Sequence, residues 1–111
     1  LIPRPETEHL VEQSLVKLDN LHKNYQVLEL GTGCGAAAIA IAKERPQASI
    51  YATDVSAKAL KIGKYNARNL QISNIEFICS DWLNGISEYK FDLIISNPPY
   101  VDAKKIKDYK N

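Results

Sequence analysis

The segment ELGTGCGA contains three glycines, Gly31, Gly33 and Gly35, between an apolar run and an alanine-rich run. Glycine lets a backbone approach a ligand closely, and the free amides at the start of a following helix attract an electron-rich group. Asp54 lies 23 residues after Gly31, at the end of the next apolar run, where a carboxylate can accept hydrogen bonds from both hydroxyls of a ribose. The loop and this acid together predict a nucleoside site.

The pair Asp81 and Trp82 narrows the choice of nucleoside ligand. The glycine loop and Asp54 suit NAD and S-adenosylmethionine equally well, since GTGCGA also satisfies a loose dinucleotide pattern. An acid that accepts from an adenine amino group, beside an aromatic plane, forms an adenine pocket. This pair favours S-adenosylmethionine, although a surface acid next to a core tryptophan is an alternative.

The segment NPPY, which is formed by Asn97, Pro98, Pro99 and Tyr100, suits transfer of a methyl group to an amide or amino nitrogen. Such a nitrogen is a poor nucleophile, and a site helps by accepting both of its N–H bonds and stabilising the positive charge that grows on it. The side-chain oxygen of Asn97 and the backbone oxygen of Pro98 are the predicted acceptors. Neither proline has an N–H, fixed φ angles keep the turn rigid, and Tyr100 can cover a planar amide or base.

Alternating helices and strands are predicted to position these residues. Apolar spacing, alanine-rich runs and turn signals predict helices at about residues 6–18, 35–45 and 57–69, and strands at 25–30, 49–54, 75–80 and 91–96. Helical crossovers between successive strands favour a parallel sheet that is covered on both faces. Ligands of such sheets bind beyond the carboxyl ends of the strands, where all the residues above lie.

Composition sets limits on the class of protein. The chain has 111 residues, a length that predicts a single domain. Of these residues 45% are hydrophobic and 24% charged, and the formal net charge of +1 creates no overall electrostatic attraction for nucleic acid or membrane. It contains neither an apolar run of membrane-spanning length nor a signal peptide pattern, and we expect a cytoplasmic location. Cys34 and Cys79 are expected to be free thiols, and no metal site is predicted.

The motifs ELGTGCG, ATD, SDW and NPPY, in this order and spacing, resemble those of class I S-adenosylmethionine-dependent methyltransferases. The resemblance implies a Rossmann-like α/β fold, a three-layer sandwich with a central parallel sheet. It also implies that Gly31, Thr32, Gly33, Cys34 and Gly35 line the methionine part of the cofactor. Asp54 would then hold the ribose, Asp81 and Trp82 would flank the adenine, and Asn97 would reach the edge of the cofactor.

The prefix IPRPETE, together with SNPPY, resembles the family of release factor glutamine N5-methyltransferases, known as HemK or PrmC. This resemblance implies that the substrate is the glutamine of the GGQ motif in class 1 peptide chain release factors, with no direct partner in nucleic acid or membrane. The related enzymes for a ribosomal protein have a prefix of the form PRSPxxE. Arg4, Glu6 and Glu8 are candidates for the mouth of the site, and an ordinary polar helix start explains them equally well.

The resemblance also implies that residues 1–111 form part of a catalytic domain. Members of the family have an N-terminal helical domain and further strands after the fourth. Both are expected to be absent from these residues, which would leave the fourth strand as an exposed apolar edge. Three alternatives stay open: a methyltransferase for exocyclic amino groups of DNA or RNA, a NAD-binding oxidoreductase domain, and a fragment that binds a nucleotide cofactor without catalysis.

Overall fold

The computed structural model describes residues 5–81 and 90–96. Helices and strands alternate along these residues, and their bounds agree with the predicted segments to within two residues. The elements in chain order are α1 (Pro5–Lys17), β1 (Gln26–Leu30), α2 (Ala36–Glu44), β2 (Ser49–Asp54), α3 (Ala57–Asn69), β3 (Ile75–Cys79) and β4 (Leu93–Ser96).

The ends of the helices follow from local chemistry. The Ser56 hydroxyl caps α3 by accepting a hydrogen bond from the amide of Ala59 at 3.1 Å. α2 ends at Glu44, and the conformation of Arg45 is not helical, because the proline that follows disfavours it. In the described parts of the chain, no helix has the length and apolar character needed to cross a membrane.

The strands of the described residues form one parallel sheet in the order β3-β2-β1-β4. β1 pairs with β2 on one side and with β4 on the other, with Leu30 opposite both Thr53 and Ser96. The structure therefore confirms the predicted Rossmann-like α/β fold. β4 lies at an edge of this described sheet, where Ile94 is 52% exposed.

The core lies between the sheet and the three described helices, which pack on one of its faces, so the helical cover of both faces that the sequence predicts is not seen among the described residues. Val27, Ile50 and Ile95 extend from the strands towards Ala38 and Ile41 of α2, and apolar side chains of α1 complete the cluster. Leu28 and Leu30 of the central strand have the opposite orientation, towards the face where Tyr51 and Phe91 pack. Since β1 is buried on both sides, it is a rigid base for the loop that follows it.

Two polar side chains hold the end of the core that lies away from the strand carboxyl ends. The Asn74 amide nitrogen donates to the backbone oxygens of Ala42, Arg45 and Ala48 at 3.1, 3.0 and 2.9 Å. The Arg45 guanidinium donates to the backbone oxygens of Leu15 and Leu18, and so joins α1 to the end of α2. These contacts give donors to carbonyl groups at the ends of α1 and α2 and at the start of β2.

We predict that Asn74→Ala lowers the free energy of unfolding by about 1–3 kcal/mol, because the part-buried carbonyl groups of Ala42 and Ala48 lose this donor and that of Arg45 keeps only the Ala48 amide. Chemical denaturation measures this difference. Asn69→Ala is the matched control, since Asn69 is exposed near the end of α3, and its effect is expected to stay within about 0.5 kcal/mol. Equal stability of the two variants would contradict the assigned role of Asn74.

Candidate functional site

The segments that follow β1 and β3 meet at the carboxyl end of β2. The amide of Thr32 donates to the backbone oxygen of Thr53 at 2.8 Å, and the amide of Ser80 donates to that of Asp54 at 3.0 Å. The parallel sheet thus brings together the glycine loop, Asp54 and the residues next to Asp81, as the sequence predicts. This edge of the sheet is the candidate site.

The glycine loop uses a backbone conformation that other residues rarely adopt. Gly31, Gly33 and Gly35 have φ angles of 70°, 61° and 87°, in the left-handed region that favours glycine. A side chain built on Gly33 would meet no atom within 4 Å. The space beside Gly33 is therefore open, and the backbone there is accessible to a ligand.

Asp54 links the glycine loop to the second strand. Its Oδ2 accepts a hydrogen bond from the amide of Gly33 at 2.8 Å, and its Oδ1 accepts one from the amide of Ser56 at 2.9 Å. A carboxylate offers about four lone-pair positions, so each oxygen can still accept from a ligand hydroxyl. Asp54 holds the loop in place and keeps acceptor capacity beside it.

The start of α2 lies next to the loop and has no side-chain cap. Gly35 is the N-cap residue and makes no side-chain cap, and the first turn of α2 contains no acidic residue. The first amides of a helix have no partner within it and carry a partial positive charge. An electron-rich group of a ligand can approach the loop from this side.

Glu29 is a functional candidate that our sequence analysis did not select. The residue is 0% exposed at the end of β1, and its Oε1 accepts a close hydrogen bond from the hydroxyl of Thr32 in the glycine loop. Its other oxygen, Oε2, is buried without a hydrogen-bond partner. The signal in the sequence is an acid inside the apolar strand QVLEL, where a charge is rarely placed without a partner.

Burial raises the pKa of Glu29 from 4.5 to about 7, and the nearby Asp54 carboxylate raises it as well. The hydrogen bond from Thr32 and the amide of Ala38 at the start of α2 act in the opposite direction. An unpartnered buried oxygen is unfavourable unless a donor or a cation meets it. Glu29 therefore makes the inner end of the site suitable for a positively charged group.

The other predicted cofactor residues within the described ranges lie at the same edge. Thr32 is 6% exposed, and Cys34 is a half-buried free thiol in the glycine loop. Asp81 is exposed and follows Ser80, whose amide bonds to the end of β2. Cys79 is free as well, so both thiols agree with the prediction.

Other predicted residues lie outside the described residues. These are Arg4, Trp82, Asn97, Pro98, Pro99 and Tyr100. The described strand β4 ends at Ser96, directly before Asn97 and opposite Leu30 of β1. Glu6 and Glu8 are exposed in the first turn of α1, where acids stabilise a helix start.

Among residues 5–81 and 90–96, no group of three or more His, Cys, Asp or Glu side chains is arranged to hold a metal ion. The donors of the candidate site are backbone amides, and its acceptors are the carboxylates of Asp54 and Glu29. Such a set suits an organic ligand that has hydroxyl groups and a positive charge.

Comparison with known proteins gives a family for almost the whole chain. Residues 8–110 match the family described as the methyltransferase small domain. The chain is 46% identical over 104 residues to the release factor glutamine methyltransferase of Escherichia coli, and the match covers 94% of this chain and 37% of that protein. It is 52% identical over 101 residues to the protein of the same name from Xylella fastidiosa, with 91% and 36% covered.

Solved structures support the same fold. A SAM-dependent methyltransferase from Agrobacterium tumefaciens superposes with a TM-score of 0.74 at 25% identity, over 87% of this chain and 33% of that one. The ribosomal protein L11 methylase from Lactobacillus delbrueckii has a TM-score of 0.70 at 29% identity, over 96% and 52%. These comparisons confirm the resemblance that the motifs indicate. The chain spans little more than a third of the length of the curated relatives.

We predict that Glu29 gives the folded chain a specific dependence on pH. The folded state holds this proton more tightly than the unfolded state, so the contribution is complete below pH 4.5 and is lost as the pH rises through about 7. Within that window the free energy of unfolding falls by at most about 1.4 kcal/mol per pH unit.

Denaturation of the wild type and of Glu29→Gln between pH 4.5 and pH 8 checks this dependence, because glutamine keeps the shape and does not titrate. The difference between the two proteins is expected to change with pH. Glu12→Gln, at an exposed position of α1, is the control and should follow the wild type. Parallel curves for Glu29→Gln and the wild type would contradict the pKa assignment.

Proposed function

This chain belongs to the methyltransferase small domain family. From that premise we propose that it binds S-adenosylmethionine and catalyses transfer of its methyl group to the side-chain nitrogen of a glutamine. The observation that supports the cofactor most directly is the edge formed by Asp54, Gly33 and the buried Glu29. The names of the relatives that are 46% and 52% identical support glutamine as the acceptor.

The residues of this edge fit the chemical groups of S-adenosylmethionine. The free lone pairs of Asp54 suit the two ribose hydroxyls, and the open space at Gly33 suits a ligand lying against the loop backbone. The buried Glu29 carboxyl under the glycine loop favours a positive charge nearby, and this cofactor has an ammonium and a sulfonium group, whereas NAD has no ammonium group. When bound, the sulfonium supplies an electrophilic methyl group.

The two residues after β3 are proposed to hold the adenine. Asp81 is exposed at the carboxyl edge of the sheet, next to the end of β2, and its carboxylate can accept from the adenine amino group. Trp82 follows it and offers an aromatic plane. Asp54 and Asp81 would thus bind the two ends of the nucleoside.

The acceptor amide is proposed to bind at NPPY. The Asn97 side-chain oxygen and the Pro98 backbone oxygen would accept the two N–H bonds of the glutamine amide, which aims its nitrogen at the methyl group. Pro99 keeps the turn rigid, and Tyr100 covers the amide plane. Positioning of this kind removes on the order of 7–11 kcal/mol from a barrier.

The proposed substrate is the glutamine of the GGQ motif in a class 1 peptide chain release factor. The relatives named release factor glutamine methyltransferase support this choice over an amino group of DNA or RNA, and so does the formal net charge of only +1. Arg4, Glu6 and Glu8 of the IPRPETE segment are proposed to line the approach of the substrate. Such a substrate places the reaction in the cytoplasm, where translation ends.

Mass spectrometry tests the proposed reaction. The intact protein is incubated with S-adenosylmethionine and a release factor that contains GGQ. A release factor variant in which the GGQ glutamine is replaced is treated in the same way, and the two digests are compared. We expect one added methyl group on that glutamine and none in the replaced factor. Methylation of a nucleic acid instead, with activity that falls steeply with salt, would overturn the choice of substrate.

Asp54→Ala is predicted to weaken cofactor binding, because it removes the acceptor for the ribose and the carboxylate that holds Gly33. Charged hydrogen bonds contribute about 1.5–3 kcal/mol, which corresponds to roughly a 10- to 150-fold rise in Kd. Calorimetry with S-adenosylmethionine measures the change. Glu76→Ala, at an exposed position of β3, is the control. Unaltered affinity of Asp54→Ala would rule out the ribose assignment.

Asn97→Ala is predicted to lower the rate of methyl transfer by about 10²–10³-fold, in line with the loss of one positioned hydrogen-bond partner of a transition state. The affinity for S-adenosylmethionine is expected to change by less than about threefold, because the main cofactor contacts remain. Single-turnover kinetics and calorimetry on the intact protein separate the two effects. A variant that transfers methyl groups at the wild-type rate would remove Asn97 from the mechanism.

A further inference from the structure

The ring of Phe77 in β3 lies against two glycines that belong to different elements. A methyl group built on Gly63 of α3 would lie 2.6 Å from Cε1 of this ring, and one built on Gly35 of the glycine loop would lie 2.9 Å from the same atom. Real side chains do not approach so closely. Phe77 therefore fills the space between the loop and α3, and it does so only because both neighbours are glycine.

Gly63 also touches the glycine loop directly. The methyl group built on it would lie 3.0 Å from the backbone oxygen of Cys34. Gly63 is buried in the interior of α3, where glycine is less favourable than alanine by about 1 kcal/mol. Since Gly63 is not among the positive-φ glycines of the described residues, the space it leaves, not its conformational freedom, explains its presence there.

The Phe77 ring has open space beside it on the side away from the glycine loop. It borders a shallow groove of about 280 Å³ between α3 and the edge strand β3, which Ala67, Ile72 and Ile75 also line. A methyl group at position 63 would press the ring towards this groove or press the Cys34 carbonyl away. The first response withdraws the ring from Gly35, and the second displaces the loop.

We propose that Phe77 and Gly63 are a size-matched pair of positioning residues that sets where the glycine loop lies relative to Asp54. The contact that depends on this position is the 2.8 Å hydrogen bond from the amide of Gly33 to Oδ2 of Asp54. The effect on ligand binding rests on the cofactor role proposed above for the loop. Neither residue needs to touch the cofactor.

The size match predicts that each single change is harmful and that a combined change restores the fit. Gly63→Ala overfills the space under the loop, and Phe77→Ile leaves a void beneath Gly35. With both changes the added methyl group occupies part of the volume that the ring vacates, and isoleucine suits a strand. Only the contact with the Cys34 oxygen then remains tight.

Calorimetry on the intact protein compares the wild type, the two single variants and the double variant. A displaced loop is expected to lose about one hydrogen bond to the cofactor, which weakens S-adenosylmethionine binding about tenfold in each single variant. The double variant is expected to bind within about threefold of the wild type. Ile62→Ala, an exposed neighbour on α3, is the control and should bind normally.

Hydrogen exchange at the Gly33 amide gives a second measurement that needs no cofactor. We expect faster exchange in Gly63→Ala and in Phe77→Ile, and near wild-type exchange in the double variant. If the wild type binds no S-adenosylmethionine, the proposed function fails, and the exchange rates still decide whether the pair positions the loop.

Two results would overturn the proposal. In the first, the double variant loses as much cofactor affinity and as much protection of the Gly33 amide as the two single variants lose together. The other is a set of variants with lower melting temperatures but with unchanged cofactor affinity and Gly33 exchange, which is the pattern of a purely structural contact.

Discussion

The hydrogen bond between the carboxylate of Asp54 and the amide of Gly33 is the contact on which the site depends. It joins the end of β2 to the loop after β1, and it requires a left-handed backbone at Gly33 and a parallel register that ends the two strands at the same level. Burial of β1 on both faces keeps the origin of the loop rigid, and Phe77 supports the loop from below. The glycine loop is thus the segment of backbone that connects the sheet to the candidate site.

The buried Glu29 gives this edge its electrostatic character. A carboxyl group with one oxygen unpartnered, beside the Asp54 carboxylate, is unfavourable in isolation and becomes favourable when a cation is near. The folded chain without a ligand therefore holds a proton there up to nearly neutral pH. A cofactor that brings its own positive charge would replace that proton, whereas a neutral ligand would leave the unfavourable burial in place.

The helices, the strands and the parallel sheet follow from the sequence because their signals are local: apolar spacing, the Ser56 cap and the proline after Arg45. Asp54 follows as well, since its place after a strand is visible in the pattern. The role of Glu29 does not, because an acid inside QVLEL says nothing about which groups face it in three dimensions. From the sequence, Gly63 predicts only a less stable α3, because the contact between Gly63 and the Phe77 ring is visible only in the structure. The strand order also depends on contacts between distant segments.

This edge of the sheet is proposed to select a nucleoside cofactor with an ammonium group, which S-adenosylmethionine has and NAD lacks. Calorimetric titration of the intact protein with S-adenosylmethionine and, separately, with NAD at neutral pH tests it most directly. We expect one S-adenosylmethionine bound per chain, with affinity lost in Glu29→Gln, and no measurable binding of NAD. Binding of NAD without S-adenosylmethionine, or equal affinity for S-adenosylmethionine in the wild type and in Glu29→Gln, would contradict it.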